Sequence, residues 1–257
     1  MRPVARSRRP ARTARCWVAA VGLVLGAVGA PGAQGVDEHA RWVGAIEQTR
    51  GHLLASREVY RRGQSVRAGV HASHPIQELG YRLWRPVAAV DRDLSARLQA
   101  ALKEPGQAVQ NRVPAREYDA LVERTEALLE RTVVRVVPDR VRSDPRFQAR
   151  VIETLLTAID EEYTEGVAGG RVVLEIEYQD AWGFFQRLRA LWPPLRRQLA
   201  GPAAEVAVAD DRMGLLDRTF RAIDTPAAPT PVEEVRQALG AVARALAAAG
   251  LLGGDGR

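Results

Sequence analysis

Apolar residues return along this chain at intervals of three and four, and a rhythm kept up so nearly throughout admits helices and little else. From Asp37 the positions Trp42, Ile46, Thr49, Leu53, Ser56 and Tyr60 hold the spacing until Gly63 stops it. A short helix is predicted over 64–73, because Pro75 biases His74 away from helical geometry, and Pro75 then opens a third helix reaching about Trp84. Further helices are predicted over about 91–103, with Asp91 as cap, and from Pro114 to Arg131 along Tyr118, Leu121, Val122, Thr125, Leu128 and Leu129. After Ser143-Asp144-Pro145, the residues Phe147, Val151, Leu155, Ala158 and Ile159 line a helix to about Gly166. Gly169-Gly170 must turn the chain, and Tyr178, Ala181, Phe185, Leu188 and Trp192 then form a coiled-coil-like seam ending at Pro193-Pro194. One more helix is expected over about 202–223. Val133 to Val137 and Val172 to Leu174 are the only strand-like runs, too short to propose a sheet. The fold class is all-α, a helical bundle with a helical hairpin as candidate N-terminal half.

The two ends read differently. Residues 1–35 combine six arginines and no acid, the apolar and glycine-containing stretch Cys16 to Ala30, and small residues ending Ala33-Gln34-Gly35. That order is the pattern of a cleaved signal peptide, and the apolar stretch falls short of the about 20 residues needed to span a bilayer. Periplasmic or secreted localisation is therefore expected, by general or twin-arginine export. At the other end, 225–231 is a Pro/Ala/Thr linker, and Thr230-Pro231-Val232-Glu233 has the form of a capping box opening an amphipathic helix over 232–250, with a flexible tail at 251–257. The main helical domain is then 36–224.

Charge and cysteine content remove whole classes of function. The chain of 257 residues has 37 bases and 31 acids, but six of the bases lie in the leader, so the remainder balances and lacks the basic footprint of a nucleic-acid binder. Cys16, the only cysteine, also lies in the leader, which excludes disulfides, zinc–thiolate sites and a cysteine nucleophile from the exported part. No Gly-x-Ser-x-Gly elbow, His-Glu-x-x-His motif or phosphate loop is present, so no enzymatic activity is expected.

The chemistry that is left lies in histidines and carboxylates. All four histidines, His39, His52, His71 and His74, fall within 39–74. Imidazole ligates iron, copper, nickel and zinc, and His71 and His74 share a face if the helix persists through His74. His39 also fits a packed core position, and His74 a helix cap. A second concentration holds Asp160, Glu161, Glu162 and Glu165, then Glu175, Glu177 and Asp180 across the turn. Glu162 is placed at the edge of the buried stripe with Tyr163 beside it, whereas Glu161 and Glu165 face water. Carboxylates there can serve as hard ligands, or simply form a solvated face and favour a helix N-terminus.

The succession Leu155-Leu156, Asp160-Glu161-Glu162-Tyr163, Gly166-Val167, Gly170-Arg171-Val172-Val173, Glu177-Tyr178-Gln179-Asp180-Ala181 and Gly183-Phe184 resembles the soluble extracytoplasmic domain ahead of the membrane part of bacterial high-affinity iron permeases. His52-Leu53-Leu54, Glu58-Val59-Tyr60, Gly63 and His71-Ala72-Ser73-His74-Pro75 with Glu78 resemble the preceding segment of stand-alone relatives. The resemblance covers about 50–190. It implies an accessory protein for uptake of iron or another divalent metal, working with a membrane metal transporter or another periplasmic protein. The permease's own Arg-Glu-x-x-Glu element is missing at both Arg57-Glu58 and Arg116-Glu117, as is the His-x-x-Glu motif of imelysin-type proteins. His52, His71 and His74, with Glu78 or Glu162, are the candidate ligands of one cation site; a helical adaptor without metal is the alternative.

Overall fold

A computed structural model describes residues 33–253. The predicted leader lies outside the described residues except for 33–35, which belong to the first turn of α1; of the predicted tail, only 251–253 are described.

Ten α-helices follow in chain order among the described residues: α1 Ala33–Arg61, α2 Ser65–His74, α3 Tyr81–Val90, α4 Arg92–Gln110, α5 Ala115–Val136, α6 Asp139–Arg142, α7 Pro145–Gly166, α8 Glu175–Arg196, α9 Ala203–Thr219 and α10 Val232–Ala248. A single π-turn, Pro75–Leu79, joins α2 to α3. The hairpin of β1 (Val167–Ala168) and β2 (Arg171–Val172), in register Val167 to Val172 and Ala168 to Arg171, joins α7 to α8. Gly169 and Gly170 turn it with φ of 57° and 70°, so the valine run too short for a sheet does pair, by one small ladder.

Two apolar cores meet in the molecule. One gathers Val59, Leu83, Leu98, Tyr118, Val122 and Leu129 from α1 to α5; the other gathers Leu155, Ile159, Phe185, Leu188, Val235 and Leu246 from α7 to α10. α7, α8, α9 and α10 are the four long helices of the second half, and α1 packs on α7 and α8 as well as on α2 and α5.

α1 departs most from a one-faced helix. Beside the predicted stripe it buries Val43, Glu47, His52, Ala55 and Val59, because it has neighbours on several sides. Three of its wholly buried polar side chains away from the histidines are bonded, as the interior requires. Glu47 accepts from Arg50 and Arg187, Thr49 donates to the Ala45 carbonyl, and Ser56 bonds both the Ala68 carbonyl and the Tyr118 hydroxyl.

Several local expectations are corrected. α8 runs through Pro193-Pro194 to Arg196, held by Trp192 and Leu195, which are buried on either side of the prolines. α4 continues past Pro105, itself buried, to Gln110, and Val133 to Val136 belong to α5. The helix expected from Pro75 is split by Gly80 into the π-turn and α3. Asp91 and Asp144 do cap α4 and α7 through the amides of Leu94 and Arg146. Thr230 does not form the capping box: its hydroxyl bonds Thr219 Oγ1 at 2.8 Å, and Pro231 stands at the N-cap.

Candidate metal centre

Three histidines from α1 and α2 converge on one carboxylate of α8. His52 Nδ1 lies 2.7 Å and His71 Nδ1 2.8 Å from Asp180 Oδ1, and His74 Nδ1 lies 2.9 Å from Asp180 Oδ2. α2 stays helical through His74, so His71 and His74 share the face turned to α8, while His52 reaches the same point from α1. α1 and α8 come close enough because Gly51 and Gly183 face each other: a Cβ on Gly183 would lie 2.4 Å from the Gly51 carbonyl oxygen.

A second layer fixes the rings. His71 Nε2 lies 2.8 Å from Gln179 Oε1, Gln179 Nε2 donates to Glu175 at 3.2 Å, and Glu175 pairs with Arg67. Gln179 thus orients the His71 ring with Nδ1 turned toward the centre, as second-layer partners orient metal-binding histidines. His52 packs edge-on against Phe184 and His74. Glu78, on the π-turn, places its carboxylate 3.3 Å from His52 Nε2 and 3.2 Å from His74 Nδ1.

The electrostatics follow from burying opposite charges together. Burial alone would lower the His52 pKa, but the charge and hydrogen bond of Asp180, reinforced by Glu78, push it up to about 10. His74 is raised in the same way: burial is outweighed by its bond to Asp180. Burial alone would raise Asp180, yet the His52 and His71 rings hold it well below the usual carboxylate range. The centre as it stands is a buried anion ringed by imidazoles.

One donor atom from each of His52, His71, His74 and Asp180 lies within 4.8 Å of the others. Two donors on one first-row ion stand at most about 4.2 Å apart, so small side-chain rotations suffice to close the set on a cation. Three imidazole nitrogens and a carboxylate suit a divalent transition ion. The residues present therefore fit such a metal.

Of the predicted ligands, His52, His71, His74 and Glu78 are brought together. Glu162 falls in a neighbouring group: it is half-buried beside Glu177 and Asp180, and one carboxylate oxygen from each lies within 4.8 Å of the others. Burial, then Asp180 and Glu177, push its pKa up to about 9. His39 lies apart, its buried Nδ1 without a partner among the described residues. Asp180, the hub of the centre, and Gln179 are the functional residues sequence reasoning missed. Both lie off the predicted seam of α8, and the available signal was Gly183-Phe184 beside them, small and apolar residues marking a second buried face.

Fold and site together define an all-α helical bundle with a buried histidine–carboxylate centre. Residues 138–251, from the start of α6 to the end of α10, match the family described as the iron permease-associated 4-helix bundle domain. The match begins after the segment that carries the histidines and extends beyond the stretch resembling the permease domain in sequence. No curated protein and no solved structure matches the chain. Among the described residues no helix is long and apolar enough to cross a membrane.

Proposed function

We propose that this protein is an exported accessory protein that binds iron or another divalent metal through His52, His71, His74 and Asp180, and serves uptake through a membrane metal transporter. The observation that carries this reading is the convergence of three histidines, all from outside the matched bundle domain, on one buried carboxylate inside it. Three of the chain's four histidines, the side chains that suit a borderline metal, meet there. The iron permease-associated domain supports the link to iron uptake, and the Arg-rich start before an apolar stretch supports export. Binding and delivery, not catalysis, is the proposed role.

The test is anaerobic titration of the purified chain with ferrous, zinc and cupric ions at pH 7.5, beside His71→Ala/His74→Ala confirmed folded by circular dichroism. Near-stoichiometric binding by the parent and its loss in the variant is the expected result. A specific observation favours the adaptor reading instead: both nitrogens of His52 and of His71 already face oxygen partners, so the cluster closes as a polar core without metal. A parent that binds none of the three ions would leave the adaptor reading as the better one. N-terminal sequencing of protein recovered from the periplasm tests export, with a start near Val36 expected.

A further inference from the structure

The histidine centre has a closed side and an open one. On the closed side His71 and Asp180 are 0% exposed, sealed by Gln179, Glu175 and Arg67. On the open side exposure rises to 12% at His74 and 44% at Glu78. Glu78 is thus the most exposed member of the cluster, with one oxygen against His52 and the other against His74.

Its backbone explains the placement. The π-turn is closed by the wide bond from Gly80 N to the Pro75 carbonyl at 3.1 Å, and Gly80 leaves it at φ 39°, a conformation that glycine adopts without strain. Buried Pro75 and Leu79 anchor the turn at both ends, which leaves Glu78 at the rim above the buried set. Single π-turns of this kind are frequent at functional sites.

We propose that Glu78 is the exchange ligand of the centre, the group through which a divalent first-row cation enters and leaves the buried histidines. This rests on the metal-binding reading above. The class of ion follows from the donors: three imidazole nitrogens with the Asp180 carboxylate favour first-row transition ions over magnesium and calcium. The role of Glu78 follows from its position. A hydrated cation arriving from solvent meets this carboxylate first, exchanges water for it, and passes inward to His74, His52 and then His71 and Asp180. On release the same carboxylate takes the ion back without any movement of the buried helices.

An exchange ligand governs rates more than affinity, and that separates it from a fixed ligand. The experiment is stopped-flow binding and chelator-driven release of zinc and ferrous ions on the purified chain, comparing the parent, Glu78→Gln, and Glu161→Gln, which removes an exposed acid from neighbouring α7. For Glu78→Gln association is expected to slow by about 10-fold, the lower range for a lost steering charge, and release to slow with it because the departing ion loses its acceptor at the rim, while the equilibrium constant stays within about 3-fold. Glu161→Gln is expected to match the parent. A Glu78→Gln chain with much weaker equilibrium binding and faster release would make Glu78 a fixed ligand and overturn the proposal, as would unchanged rates. Absence of binding by the parent would instead remove the metal-binding reading on which it rests.

Discussion

Gly183 on α8 lies against Gly51 on α1 so closely that neither position has room for a side chain: a Cβ on Gly51 would lie 2.5 Å from Phe184 Cδ1. The contact sits one residue from His52 and three from Asp180, so it sets the distance over which the centre closes. Gly183→Ala is expected to cost about 1–3 kcal/mol by overpacking and to weaken metal binding. Gly69→Ala is the contrast, since its Cβ would meet only Val109 at an ordinary 3.5 Å. It is expected to stabilise the helix by about 0.4–1 kcal/mol, and melting curves of the two variants should move in opposite directions.

Asp180→Asn keeps the shape of the hub and removes its charge. It leaves buried His52 facing an amide, and removing one partner of a buried ion pair costs about 3–5 kcal/mol. Urea unfolding at pH 7 measures the loss, and imidazole NMR should show the His52 pKa falling from about 10 toward its ordinary value. An unchanged His52 titration would contradict the pairing described here.

The metal-free protein should lose stability as the solution becomes alkaline. His52 is raised from 6.5 to about 10, so its contribution is complete below 6.5 and disappears as pH climbs through about 10. Glu162, raised from 4.5 to about 9, acts in the same direction. Asp180, lowered below 3.8, contributes with the opposite sign and is lost only in acid, as pH falls through its depressed value. Urea midpoints measured with a chelator present should therefore be higher at pH 6 than at pH 9.5; a flat or rising profile would refute this.

Glu47 ties α1 to α8 apart from the centre, accepting from Arg50 Nη1 and Arg187 Nε at 2.7 Å each while almost wholly buried. Glu47→Ala takes the carboxylate partner from Arg187, while Arg50 keeps Glu130, and is expected to cost about 1–3 kcal/mol. Because it touches none of the candidate ligands, metal stoichiometry should survive in the folded fraction, which calorimetry can check.

The helices were legible because the interval of apolar residues reports one buried face, and every predicted helix has a counterpart in the structure, with differences at proline and at Gly80. The seam Tyr178, Ala181, Phe185, Leu188 and Trp192 is buried as expected. Periodicity is silent about a second buried face, and α1 and α8 both have one. That is why Asp180, off the seam, reads as one more acid near a helix N-terminus.

By itself the sequence determined an all-α chain, the grouping of its histidines before residue 75, and a stretch whose order of acids, glycines and tyrosines resembles an iron permease-associated domain. Only the tertiary structure decided that His52, His71 and His74 meet Asp180, that Glu78 stands at the rim, that Glu162 groups with Asp180 and Glu177, and that His39 lies apart. Local spacing fixes which side of a helix turns inward. Partners more than a hundred residues distant in sequence are set by which faces pack together, here by the close approach of α1 to α8 at two glycines, and no local pattern encodes that.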